Sequence, residues 1–327
     1  MKSTVKKYGI FLLCLTLLLG ATAAFAGCDA QTNPTTADNN CTTIICTNFA
    51  ALSFARSMLD HYREQGGEGV VQLMILGKPG QDMHSYEPTA QDIINLVNAD
   101  VVVCTGAEGW LDSALSASGN KVARMVSMME ACDIHTTNHD HDREHEHGDD
   151  SCALIGNDEH VWLSVDNATR ITVAIGDALK EADKENATAW EACKGIATAE
   201  LVELKTEFHV MMKNATRDTV VIADRHPFVY LFAELNLDCV AAFPGCSSET
   251  SASFETQMKL IESVKSLGIP YIFIMEGSDG KVAEVVAKET GAEILTLNSM
   301  QVMTDFYEST YIDIMRQNLE NLKKALQ

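Results

Sequence analysis

Positive charge is scarce in this chain. Lys and Arg number 24 against 46 Asp and Glu over 327 residues, a net charge of −22. A surface that acidic argues against nucleic acid as a partner and against adsorption to anionic membranes. Nucleotide signatures are missing as well: neither G-x-G-x-x-G nor G-x-x-x-x-G-K-[ST] occurs, so no phosphate-cradling loop of either kind is encoded. The G-x-S-x-G elbow and the H-E-x-x-H motif are also absent, which weakens a hydrolase reading. What remains is an ordinary apolar content of 46%, enough to build a sizeable core in a chain long enough for two compact domains.

The N-terminus is a separate element. Lys2, Lys6 and Lys7 precede the apolar run "YGIFLLCLTLLLGATAAFA", too short for a comfortable membrane span; residues 1–27 read as a secretory signal peptide. The leader ends "FAGC", similar to a lipoprotein processing box in which Cys28 becomes the acylated first residue. The alternative is ordinary cleavage after Ala26. Residues 28–40 are polar and suit a tether, and a lipid anchor would hold the protein at a surface without spanning it. The expected location is extracytoplasmic, as a membrane-anchored lipoprotein or in the periplasm. Eight cysteines follow the tether. In an exported chain an even number suggests disulfides, and Cys132 and Cys152 form a candidate pair. Buried thiols are the alternative.

Between those two cysteines lies "HTTNHDHDREHEHGDD", His135 to Asp150, with five of the ten histidines and almost nothing apolar. Such a segment cannot build a core; it is either solvated or in contact with metal. His139, His141, His145 and His147 are accessory metal candidates.

The rest of the chain alternates strand and helix patterns. "TTIIC", "VVQLMIL" and "VVVC" read as buried strands, separated by "TNFAALSFARSMLDHYRE" and "TAQDIINLVNA" with apolar residues at helical spacing. That order implies a parallel sheet covered by helices. Residues 166–214 are helix-forming throughout, with Asp166 as N-cap of a first helix and Asn186 starting a second, long one. Then "TVVIAD", "LDCVAAF", "YIFIM" and "AEILTL" resume the strands. The expected fold is α/β: an N-terminal lobe over 41–165 and a C-terminal lobe over 215–327, joined by a single long helix.

His61 and His209 sit on helix faces and read as surface histidines. His84, His160 and His226 differ: His84 and His226 each follow a strand, where open parallel sheets bind ligands. Three convergent imidazoles suit Zn²⁺, or less selectively Mn²⁺. Spacing alone carries this only weakly.

The flanking residues carry more. "HSYEPTAQDIINLVNADVVVCTGAEGWL", "DEHVWLSVDNA", "ADRHPFVYLFAELNL" and "GIPYIFIMEGSDGKVAEVVAKETGAEIL" resemble successive segments of the zinc/manganese solute-binding proteins of ABC transporters, over essentially the whole chain from Cys41. The resemblance implies two lobes with parallel four-stranded sheets and a metal in the cleft between them. It implies His84, His160 and His226 as ligands and an ABC transporter permease as partner. It also implies a monomer that captures metal and catalyses no reaction. An acidic His-rich insertion is typical of the zinc branch. Manganese-type members place an Asp after the last strand, where Asn298 stands here. Zn²⁺ is therefore expected over Mn²⁺, with water, Glu276 or Asp279 as fourth ligand; Cys246 is a further option. Arg225 would oppose a cation at His226 unless Glu249 or Glu276 pairs with it.

Overall fold

The runs "IIC" and "VVVC" are apolar without interruption because both faces of their sheet are covered. The computed structural model describes residues 41–117, 119, 123–133, 158–245 and 252–327. The expected leader, the tether with Cys28, the segment with His139, His141, His145 and His147, and Cys152, Cys246 and Glu249 lie outside the described residues. Among the described residues, no helix is long and apolar enough to cross a membrane.

The first lobe comprises β1 (Cys41–Cys46), α1 (Phe49–Glu64), β2 (Val70–Ile75), α2 (Ala90–Asn98), β3 (Val101–Cys104), α3 (Leu111–Ala117), β4 (Met125–Ser127) and α4 (Met128–Ala131). Its strands lie in the order β2-β1-β3-β4, all parallel, with Cys46 paired to Ile75 on one side and to Val103 on the other. Two helices follow, α5 (Val165–Ala182) and α6 (Ala187–Lys213). The second lobe comprises β5 (Thr219–His226), α7 (Val229–Leu235), β6 (Asp238–Pro244), α8 (Phe254–Leu267), β7 (Tyr271–Met275), α9 (Lys281–Thr290), β8 (Glu293–Leu297) and α10 (Tyr311–Leu326). Its parallel sheet repeats the topology as β6-β5-β7-β8.

In both sheets the chain changes direction after its second strand, which opens a crevice at the carboxyl ends of the two central strands. The period-2 alternation of strands decides which side chains face which layer. Ile44 and Cys46 enter the large central core, with Val220 and Ile222 of the other lobe. Ile45 faces a smaller cluster with Leu96 and Tyr86, and Val221 faces one with Leu260 and Val286. The central core thus runs through both lobes, with α5, α6 and α10 contributing Ile171, Trp190 and Met315. Trp190 of α6 stacks on Tyr62 of α1, ring centroids 4.3 Å apart. α6 has 27 residues, a rod of about 40 Å at 1.5 Å per residue, and it links the lobes.

Caps set the helix starts. Asn48 accepts from Ala51 N at the head of α1, and Thr89 with Asp92 forms a capping box on α2. The head of α5 differs from expectation. Ser164 is its N-cap, accepting from Asn167 N; Asp166 lies inside the first turn and pairs with Lys205 of α6 at 2.6 Å. Cys46, Cys104 and Cys193 are buried thiols, and burial pushes each of them above the ordinary thiol range. Cys132 Sγ lies 3.8 Å from the Asn167 carbonyl oxygen.

Candidate metal centre

His84 sits in a short 3₁₀ turn, Met83–Ser85, that Asp82 caps by accepting from His84 N at 3.0 Å. His160 arrives by a different local device. Asp158 Oδ1 accepts from His160 N at 2.9 Å and from its ring Nδ1 at 2.7 Å. One carboxylate oxygen therefore fixes both backbone and ring, and the proton on Nδ1 leaves Nε2 as an electron-pair donor. The His160 side chain is fully buried. On the other ring, Glu159 Oε1 lies 2.9 Å from His84 Nδ1, so this imidazole also turns its Nε2 inward.

The two Nε2 atoms face one another at 3.4 Å. Gln301 lies against both: its Nε2 donates to His160 Nε2 at 2.6 Å, and its Oε1 is 3.3 Å from His84 Nε2. Donor and acceptor roles follow from the network. The His160 electron pair accepts from the amide, and the amide oxygen accepts a proton carried by His84. The Glu159 carboxylate holds His84 above the usual imidazole range, with Asp82 and the Gln301 oxygen adding to the effect and burial opposing it. A cation entering between the two rings must displace the proton of His84 and the amide contact on His160. His84 and Gln301 open onto a pocket walled by Asn48, Thr105, Trp110 and Trp162.

His84, Glu159 and His160 bring one donor atom each within 4.8 Å of one another, and among the described residues no other group does so. His226, the third histidine expected from sequence, lies outside that group of three. It ends β5, beyond a register shift between Ile222 and Arg225. Its Nδ1 is buried and has no hydrogen-bond partner. Burial lowers its pKa to about 4, Asp158 opposes that shift and His160 adds to it. Its Nδ1 is therefore an available donor atom on a ring within electrostatic reach of His160. Gly245 permits this approach. A Cβ there would stand 2.8 Å from Asp158 Oδ2 and 3.0 Å from the His226 carbonyl oxygen.

The expected fourth ligands lie elsewhere. Glu276, at the end of β7, accepts from Ser299 N and Oγ at 2.7 Å each and from Gln301 N at 3.0 Å. Its carboxylate shapes the loop after β8 through the Ser299 hydroxyl and the backbone N–H groups of Ser299 and Gln301. Burial raises its pKa against those hydrogen bonds. Asp279 is paired with Lys281 at the head of α9. Asn298 accepts from Met300 N at 2.8 Å and turns the loop. Met300 takes a left-handed φ of 65°, costly for a residue with a side chain and held here by the surrounding bonds. The product of this loop is Gln301. Sequence reading passed over Gln301 and Glu159. Gln301 has no metal-site spacing, and its one signal was its place just after the last strand. Glu159 was hidden inside the ligand motif itself.

The lobes meet at this point. Trp162 Nε1 donates to the Ser299 carbonyl at 3.0 Å, and Tyr230 Oη donates to the Asp158 carbonyl at 2.7 Å. The His160 segment of the first lobe is thus tied directly to the Gln301 loop and to α7 of the second.

Comparison with known proteins agrees with this architecture. Residues 57–325 match the family model described as zinc-uptake complex component A, periplasmic. The chain is 26% identical over 293 residues to the zinc-binding protein AdcA of Streptococcus pyogenes, covering 86% of this chain and 55% of that protein. It therefore spans about half the length of that relative. It is 29% identical over 266 residues to the high-affinity zinc uptake system protein ZnuA of Bacillus subtilis, covering 79% of this chain and 81% of that one. The fold is shared with the metal-dependent lipoprotein YcdH of Bacillus subtilis at TM-score 0.70 and 24% identity, over 87% of this chain and 99% of that one. It is shared with the Zn(II)-bound ZnuA-like domain of Streptococcus pneumoniae AdcA at TM-score 0.66 and 24% identity, over 87% of this chain and 98% of that one. With a family model matching most of its length, two repeated parallel sheets and paired imidazoles between them, this chain belongs to the family of the periplasmic component A of zinc-uptake complexes.

Proposed function

We propose that this protein captures a divalent metal ion, Zn²⁺ before Mn²⁺, outside the cytoplasmic membrane and passes it to the permease of an ABC transporter. The observation that carries the reading is the pair of inward-facing Nε2 atoms at 3.4 Å. Around a tetrahedral zinc with bonds of roughly 2.0–2.1 Å, two imidazole nitrogens stand about 3.4 Å apart. His84 and His160 would hold the ion, each oriented by its own carboxylate, Glu159 and Asp158. The unpartnered ring of His226 supplies the third donor. The fourth position falls to water or to the Gln301 amide oxygen. Three imidazoles without a free carboxylate favour Zn²⁺, since Mn²⁺ prefers more oxygen. The relatives named for zinc binding and zinc uptake support the same cargo.

The division into an N-terminal lobe to residue 165, a helical region over 166–214 and a C-terminal lobe from 215 belongs to this reading. So do Cys28 acylation, a Cys132–Cys152 bridge, a monomeric state and an accessory, collecting role for His139, His141, His145 and His147. No chemical step is part of it.

The test is a titration of the purified protein with Zn²⁺ and Mn²⁺, with and without residues 135–150. The reading expects one tight Zn²⁺ equivalent that survives the deletion and is lost in His84→Ala and His160→Ala. Loss of all tight binding on deletion would transfer the site to the His-rich segment and overturn the assignment.

A further inference from the structure

We propose a second divalent-cation site, in a groove separate from that of the paired imidazoles, where α1 packs on α6. Its ligands are His61 of α1 and Glu200 of α6. His61 Nε2 lies 3.4 Å from Glu200 Oε2, and its Nδ1 lies 3.5 Å from Glu64 Oε2. Both contacts are longer than a strong charge-assisted hydrogen bond, which closes at about 2.7–2.9 Å. The first is instead the spacing two donors take across one tetrahedral ion. With Zn–N and Zn–O bonds of about 2.1 Å, the N···O edge is roughly 3.4 Å. Glu64 lies on the far nitrogen of the same ring and adds negative charge there.

The surroundings favour a cation. His61 and Glu200 line one groove with Asp60, Glu203 and Asp313. Arg316, the guanidinium in that groove, is engaged by both carboxylate oxygens of Glu207. A cluster of acids alone would be only a solvated face. A second observation points to an occupant. Thr172 of α5 lines the same groove, is 1% exposed, and its hydroxyl has no hydrogen-bond partner. Its neighbour Thr169 bonds back to the Val165 carbonyl in the usual helical way, so the missing bond at Thr172 is particular to the groove. Buried polar atoms of this kind are satisfied by ordered water, and an ion with two protein ligands brings water in its remaining positions.

One nitrogen and one carboxylate select a borderline ion such as Zn²⁺. With fewer protein donors than the cleft, the site fills after it. Occupied, it would join α1 of the first lobe to the linking helix.

The experiment is a zinc titration of the full-length protein beside His61→Asn and Glu200→Gln, with zinc-edge anomalous diffraction from crystals grown in Zn²⁺. The expected result is the loss of one weaker equivalent in each variant, an unchanged tight equivalent, and an anomalous peak between His61 and Glu200. Glu200 is partly exposed, so Glu200→Gln tests the ligand without disturbing the fold. Unchanged stoichiometry in both variants, or the absence of that peak at saturating zinc, would overturn the proposal.

Discussion

His84 and His160 face each other Nε2 to Nε2 at 3.4 Å, with the Gln301 amide laid across both. The amide satisfies both nitrogens, and a cation that binds between the rings must replace those contacts.

Asp158 holds His160 through one oxygen at 2.9 Å from its backbone N and 2.7 Å from its ring. Replacing it with Ala frees the ring and its tautomer. Zinc affinity is expected to fall by about 10–100-fold, the usual cost of losing such an orienting group. Competition against a chromophoric chelator reads this directly, and an unchanged affinity would remove Asp158 from the site.

Gln301→Glu places a carboxylate where a neutral amide now lies against both rings. An anion beside a divalent ion strengthens binding, and a gain of about tenfold, ~1.4 kcal/mol, with slower release is expected. Stopped-flow transfer of zinc to a chelator separates the two effects. Equal or weaker binding would mean that the amide does not approach the ion.

Gly245→Ala sets a methyl group 2.8 Å from Asp158 Oδ2 and 3.0 Å from the His226 carbonyl oxygen. Overpacking of this kind costs about 1–3 kcal/mol. Both neighbours belong to the candidate site, so zinc affinity should fall along with thermal stability. A stability loss with unchanged affinity would show that the strain is relieved away from the histidines.

The last helix supplies a pH test that does not involve the paired imidazoles. Thr310 hydrogen bonds hold the Asp313 carboxyl below its ordinary value of 3.8. A carboxylate depressed in the folded state stabilises above the unfolded pKa, and the benefit disappears as pH falls through the folded one. Asp313→Ala should therefore cost about 1 kcal/mol near neutrality. The gap to the parent protein should close progressively below pH 3.8. Urea unfolding at pH 6 and at pH 3 measures both ends, and a gap independent of pH would contradict the capping role.

Most of the fold was legible because its strands are buried on both faces and its helices keep a 3.6-residue period. "VVVC" and "YIFIM" have no other comfortable reading. β4 escaped notice because its three residues, Met125–Ser127, give no period to detect; only pairing with β3 makes it a strand. The α5 cap was placed two residues late because Asp166 and Ser164 are both good caps, and the choice is made by the turn through Leu163. At the site, His84 and His160 were readable from the motifs that surround them. The engagement of Glu276 was not. A carboxylate after a strand looks the same whether it will meet a cation or the N–H groups of a loop 23 residues on, and only folding brings Ser299 and Gln301 to it.

That carboxylate has a mechanical meaning. Glu276 holds both Ser299 and Gln301. Ser299 carries the Trp162 tie to the other lobe, while Gln301 carries the contact with both imidazoles. One carboxylate therefore couples a tie between the lobes to the contact with the histidines, and loosening the loop from it would disturb both together.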